Sequence, residues 1–258
     1  MADFEGDLSG SRFEHVDLKR AELRDVDLAG SRFREVNFYD VTMRGVYIGK
    51  VDIDGEVESL VINGVDVAPF VQAEMDRLEP ERVKMRPTDP DGFREAWDLI
   101  EARWAETVER ARRLPEPLLH ESVDGEWSFI ETLRHLAFAE ESWVSRAILG
   151  EQSPWHPLSL PWDGMEDTPG VPRDRAARPS LDEALALRLD RMATVRRVID
   201  GLTGDLLASD TKPVDGLGWP PPQRTFPVRK CLLTVLNEEW EHRRYAERDL
   251  AVLESRNE

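Results

Sequence analysis

Glu238 and His242 stand four residues apart, so on a helix their side chains lie one above the other. At 100° per residue they share a face with Val228, Cys231, Leu232, Val235, Ala246 and Leu250. A carboxylate on an apolar stripe costs on the order of several kcal/mol unless something compensates it. A divalent cation held by Glu238 and His242 would do so, and a catalytic zinc site needs only three protein ligands. His135, on an earlier helix, is the candidate third ligand. The competing reading is a hydrogen-bonded core histidine, with Glu239, also close to the apolar face, paired to Arg243. His135 stands about 160° from the stripe of Ile130, Leu133, Ala137, Val144 and Ile148. Its helix must therefore offer a second inward side if the three residues are to meet.

Four helical stretches position these residues. The first is expected over 91–113, through Phe93, Trp97, Ile100 and Trp104, and stops before Pro115. The second, 128–149, opens on Ser128 with Glu131 three residues on, a capping box, and ends at Gly150. The third, 180–201, repeats the device with Ser180 and Glu183, and the fourth runs over 227–255. A long proline-rich segment, 151–179, crosses between the second and third. Four helices with one long crossover predict a four-helix bundle. Long ordered loops are often functional, so Trp155, His156 and Trp162 in the crossover are candidate substrate-binding residues over the site. Cys231 lies two turns from Glu238, about 10 Å along the axis, too far to be a fourth ligand, and reads as a small buried hydrophobe. His15 and His120 read as incidental.

The N-terminal fifth follows a different period. Leu8, Phe13, Leu18, Leu23, Leu28, Phe33, Phe38, Met43, Ile48 and Ile53 are large, apolar and five apart. The residues two places earlier, from Gly6 through Ser11 and Val16 to Val51, are small or β-branched. Neither a helix nor a strand has a period of five; a square coil with one large and one small inward side chain per face does. Val57–Ile62 then reads as a strand, Asn63-Gly64 as a turn and 69–78 as a short helix, which together would cap the coil. Pro80, Pro87 and Pro90 suggest a linker over 79–90. The expected organisation is thus 1–78, a linker at 79–90, and a helical metal-binding domain over 91–258.

Composition narrows the partners. The 258-residue chain has a net charge of −18, which disfavours phosphate contacts with nucleic acid and binding to an anionic membrane surface. The single cysteine excludes an internal disulfide, and the start carries neither a basic nor an apolar leader segment. A cytoplasmic protein acting on a small molecule is the expectation, with stacking of the repeats on a second copy giving a homodimer.

Two resemblances sharpen these readings. Ala21-Glu22-Leu23 and Ser31-Arg32-Phe33 resemble the pentapeptide-repeat family, which implies a short right-handed quadrilateral β-helix. Trp127-Ser128, Leu133-Arg134-His135-Leu136-Ala137 and Glu238-Glu239-Trp240-Glu241-His242 resemble the DinB-like superfamily, including its mycothiol-dependent isomerase and S-transferase branch. That resemblance implies an all-α four-helix bundle with His135, Glu238 and His242 as metal ligands, zinc first among nickel, iron and manganese. It also implies a low-molecular-weight thiol cofactor and transfer to, or isomerisation of, a small electrophile. A non-enzymatic interaction module with a structural metal is the rival class.

Overall fold

The structure is a computed structural model of the chain, and it describes residues 6–14, 16–34 and 36–257. His15 lies outside the described residues. The chain divides into two units, Met1–Asp54 and Gly55–Glu258.

In the first unit the period of five appears as a turn every ten residues. Ser11, Ala21 and Ser31 donate their N–H groups to the carbonyls of Leu8, Leu18 and Leu28, each at 3.0 Å. Asp7, Asp17, Asp27 and Asn37 accept from the N–H two residues on, each at 2.9 Å, the Asx turn these side chains favour. The closed quadrilateral coil expected from the sequence is not what the structure shows. No strand forms among the described residues of this unit, and Leu18, Leu23, Leu28 and Phe33 are 49–71% exposed.

The second unit opens with a hairpin of two-residue strands, β1 (Val61–Ile62) and β2 (Val65–Asp66), pairing Ile62 with Val65. Asn63 and Gly64 both have positive φ, 51° and 84°, as a tight two-residue hairpin requires. Helix α1 follows (Ala68–Leu78), then a 3₁₀ turn, Pro80–Met85. That turn corrects the linker expected over 79–90. Met85 is buried, Glu81 pairs with Arg103 at 2.5 Å, Glu79 pairs with Arg244 at 3.3 Å, and Arg229 donates to the Pro87 carbonyl at 3.1 Å. The prolines here start and shape a packed turn and do not mark a loose connection.

Four long helices share the main core: α2 (Pro90–Ala111), α3 (Phe129–Glu140), α4 (Leu181–Asp200) and, after the single-turn α5 (Gly204–Leu207), α6 (Val228–Asn257). Each packs on two of the others, in the cyclic order α2, α6, α3, α4. The capping boxes at Ser128/Glu131 and Ser180/Glu183 form as expected. Beyond Glu140 the α3 helix widens into π-helical turns, Glu141–Ile148. All of α3 except Glu131 is buried, since α4 flanks it on one side and α6 on the other. This is how its second inward side, the one carrying His135, comes to exist.

Candidate metal centre

The i, i+4 spacing on α6 puts His242 Nε2 3.0 Å from Glu238 Oε2, and α3 brings His135 Nε2 to 3.5 Å from the same oxygen. The ligand-capable atoms of the three residues all lie within 4.8 Å of one another, and they form the one such cluster among the described residues. Trp127, just before the Ser128 cap, walls the cluster. Its ring centroid is 4.3 Å from that of His135 and 5.6 Å from that of His242, the latter pair stacked at 13°.

The proton inventory is informative. His135 Nδ1 lies 2.9 Å from the carbonyl oxygen of Leu160. A carbonyl can only accept, so Nδ1 carries the hydrogen, and Nε2 is the ring atom that faces Glu238. Burial pulls the pKa of His135 down, and the hydrogen bond to Glu238 opposes it. Burial also pushes the Glu238 carboxyl up, but hydrogen bonding with His135 and His242 outweighs it and holds the acid below the usual carboxylate range. Two imidazole nitrogens and a carboxylate oxygen thus converge, and the backbone oxygen behind His135 orients its ring as second-shell groups do in metal sites. The donor set fits a divalent cation.

The crossover supplies that backbone oxygen and is itself anchored. Buried Arg134, next to His135, donates from Nε to Leu158 O at 2.7 Å, from Nη1 to Ala177 O at 3.3 Å, and from Nη2 to Asp174 O. The Leu160 N–H returns a bond to Arg134 O at 3.1 Å. Of the three crossover residues expected at the site, two are occupied elsewhere. Trp155 is buried, donates to Ser142 Oγ at 3.2 Å, and lies under the Arg146 guanidinium at 5.4 Å. His156 serves its own turn: Nδ1 accepts from the Leu158 N–H at 3.1 Å, and its N–H donates to Glu141 Oε1 at 3.0 Å. Trp162 meets Phe138 edge-on at 6.2 Å, and Phe138 lies 6.3 Å from His135, so its link to the cluster is indirect. Cys231 is fully buried and its thiol is pushed up to about 12 by burial, in keeping with a packing role.

Two pairings differ from expectation or were missed. Glu239 does not pair with Arg243, which donates instead to Arg103 O and Thr107 Oγ1 at 3.1 and 3.0 Å. Glu239 pairs with Arg188 of α4, which also holds Glu140 at 2.5 Å. Burial lifts Glu140 to about 8 against the pull of Arg188, and Glu239 is raised as well. The signal available in sequence was Glu140-Glu141 inside an otherwise apolar run.

A helical unit with a His–Glu–His cluster between two of its long helices defines the class, and comparison with protein families agrees. The DinB superfamily matches residues 99–246, more than half of the chain, and pentapeptide repeats match residues 7–45 in eight copies. The chain belongs to the DinB superfamily, with pentapeptide repeats at its N-terminus. No curated protein and no solved structure matches it.

Proposed function

We propose that His135, Glu238 and His242 hold one divalent cation, zinc before nickel, iron or manganese. We further propose that the unit is an enzyme joining a low-molecular-weight thiol, of the mycothiol type, to a small electrophile. The observation that carries this reading is the convergence of the three ligand atoms with Nδ1 of His135 already committed to Leu160 O. When bound, the cation would leave a coordination position open and lower the pKa of a thiol or water placed there. His135 and His242 orient their Nε2 atoms, Glu238 supplies the anionic oxygen, and Trp127 excludes water from one side of both rings. In S-transfer the thiolate sulfur would bond to the electrophilic carbon as that carbon's bond to its leaving group breaks; the leaving group departs with the bonding pair and the thiol proton goes to solvent. In isomerisation the thiolate would add to one carbon of a conjugated double bond, the π pair moving onto the conjugated carbonyl, and after rotation about the new single bond the pair returns and the carbon–sulfur bond breaks. A DinB-type four-helix bundle is the fold we assign to the cyclic packing of α2, α6, α3 and α4, and the cytoplasm is the compartment we assign. In support of the latter, no helix among the described residues is long and apolar enough to cross a membrane.

The repeats support a second role. Leu8, Phe13, Met43 and Ile53 are 48–62% exposed, and the rest of the ladder is comparable, which is more contiguous apolar surface than lone chains leave bare. We assign its cover to closure of the quadrilateral coil, with a second copy as the alternative cover. The same surface favours the rival interaction-module reading.

Metal analysis of protein purified without added metal tests the site. The wild type should hold about one ion per chain, three ligands being a full protein complement, and His242→Ala should lose it. Adding Glu238→Gln to His242→Ala should recover stability, because it removes the acid left without a partner. Equal metal content in all three proteins would refute the assignment. Bound metal without turnover of any thiol and electrophile pair would favour the module.

A further inference from the structure

We infer that Arg188 is a positioning residue for the metal ligands, setting the spacing of α3 and α6 at the depth where His135 meets Glu238 and His242. The inference rests on the metal reading above.

Arg188 is buried at 2% exposure, and its guanidinium meets all three of the other long helices. Nη1 donates to Glu140 on α3 at 2.5 Å, Nη2 donates to Glu239 on α6, and the guanidinium carbon lies 5.8 Å over the Trp104 ring on α2. Glu239 is the residue after Glu238. Glu140 is five residues beyond His135, about 7.5 Å along the helix. A helix is stiff over that distance, so clamping Glu140 and Glu239 to one rigid fork also fixes how closely His135 approaches the two ligands of α6.

Stability does not explain the arrangement. Glu140 Oε1, Glu239 Oε1 and Arg188 Nε are buried without a partner, and well-packed apolar residues at such a site are often as stable or more so. What an arginine bridging two carboxylates supplies is geometry: a planar fork with fixed donor directions, which lysine cannot reproduce. Ligand atoms in a metal site tolerate displacements of only about 0.2 Å, and His135 is the one ligand contributed by a different helix. The Arg188 clamp acts on this helix pair.

The test uses the full chain at pH 7. The triple variant Arg188→Met/Glu140→Leu/Glu239→Leu replaces the cluster with apolar side chains and should melt no lower than wild type. Its zinc dissociation constant, read by competition with a chromogenic chelator, should weaken roughly 10- to 100-fold, and the ligand-field bands of the cobalt-loaded protein should shift and broaden. A dissociation constant and cobalt spectrum matching wild type would overturn the inference and leave Arg188 a packing residue. If the triple variant does not fold, Arg188→Lys keeps the charge and tests the same two readouts. If the wild type binds no metal, the metal reading fails, and the ring nitrogen NMR shifts of His135 and His242 decide. Shifts altered in the variant support the clamp; shifts identical to wild type refute it.

Discussion

Replacing Gly218 by alanine should unseat Trp155 and lower stability without disturbing the His135–Glu238–His242 cluster. A Cβ built on Gly218 would lie 2.1 Å from Trp155 Cη2, with Cζ3 at 2.9 Å and Cζ2 at 3.0 Å, where ordinary contact begins at 3.4 Å. The ring must therefore retreat by more than 1 Å. It has little freedom to do so, since its N–H is held by Ser142 Oγ, Arg146 lies against its face, and it packs with Phe138 and Met165. Evicting it forfeits most of a tryptophan's burial, about 2–4 kcal/mol when the site partly collapses. Gly218 also has φ of 154°, a conformation that adds about 1–3 kcal/mol of strain for a residue with a side chain. The sum, about 3–7 kcal/mol, corresponds to a fall in melting temperature on the order of 10 °C or more for a unit of this size. Far-UV circular dichroism melts of wild type and Gly218→Ala measure it, with metal content determined on the same samples. A melt within about 2 °C of wild type would refute the packing argument. An unchanged melt with lost metal would return Trp155 to the site.

Three further outcomes follow from the same geometry. Glu140 has its folded pKa raised to about 8 by burial, so the folded state binds more protons than the unfolded one between about pH 4.5 and 8. Stability should accordingly fall as pH rises through that window; Glu140→Gln should flatten the trend, and a series of urea titrations showing stability rising there would contradict it. Limited proteolysis followed by mass spectrometry should find the first cuts near Asp54–Gly55, the boundary between units, with 79–90 protected by the Glu81–Arg103 and Glu79–Arg244 pairs; early cleavage inside 79–90 would show that these exposed pairs do not hold the turn. If the ladder is covered in solution, Leu23→Asp should accelerate proteolysis of the repeat unit at least roughly tenfold, the effect of about 1.4 kcal/mol on the open population, and an unchanged rate would mean that Leu23 stays exposed.

How much of this was legible in sequence depended on range. The capping boxes at Ser128 and Ser180 and the Glu238–His242 pair are local patterns whose geometry follows from helical periodicity alone. The His135 contribution was half legible: its spacing conflicted with the apolar stripe, and only the burial of α3 between α4 and α6 resolves the conflict. Arg188 could not be found this way. Its partners lie 48 and 51 residues away, and an arginine in an amphipathic helix reads as surface. The Leu160 carbonyl leaves no mark at all, because a backbone oxygen is the same in every residue. Proline misled once, suggesting slack at 79–90 where a 3₁₀ turn packs. The period of five identified the repeats but not their burial, since a ladder specifies which side chains align and not how many rungs close over them.

The Leu160 carbonyl has a consequence for traffic into the site. The segment that runs over α3 also orients the ring of His135, so swinging it aside to admit a substrate would release the very nitrogen that must stay oriented. A cover that doubles as a ligand support cannot serve as a door. Glu238 and His242 keep 30% and 20% side-chain exposure while His135 keeps 7%, so the cluster meets solvent through its α6 ligands. A small molecule reaching it from solvent would meet α6 first and His135 last. The size of acceptable molecules is then set by what flanks α6 at this level, and lengthening or shortening the crossover should leave it unchanged as long as Arg134 and Leu160 keep their bonds.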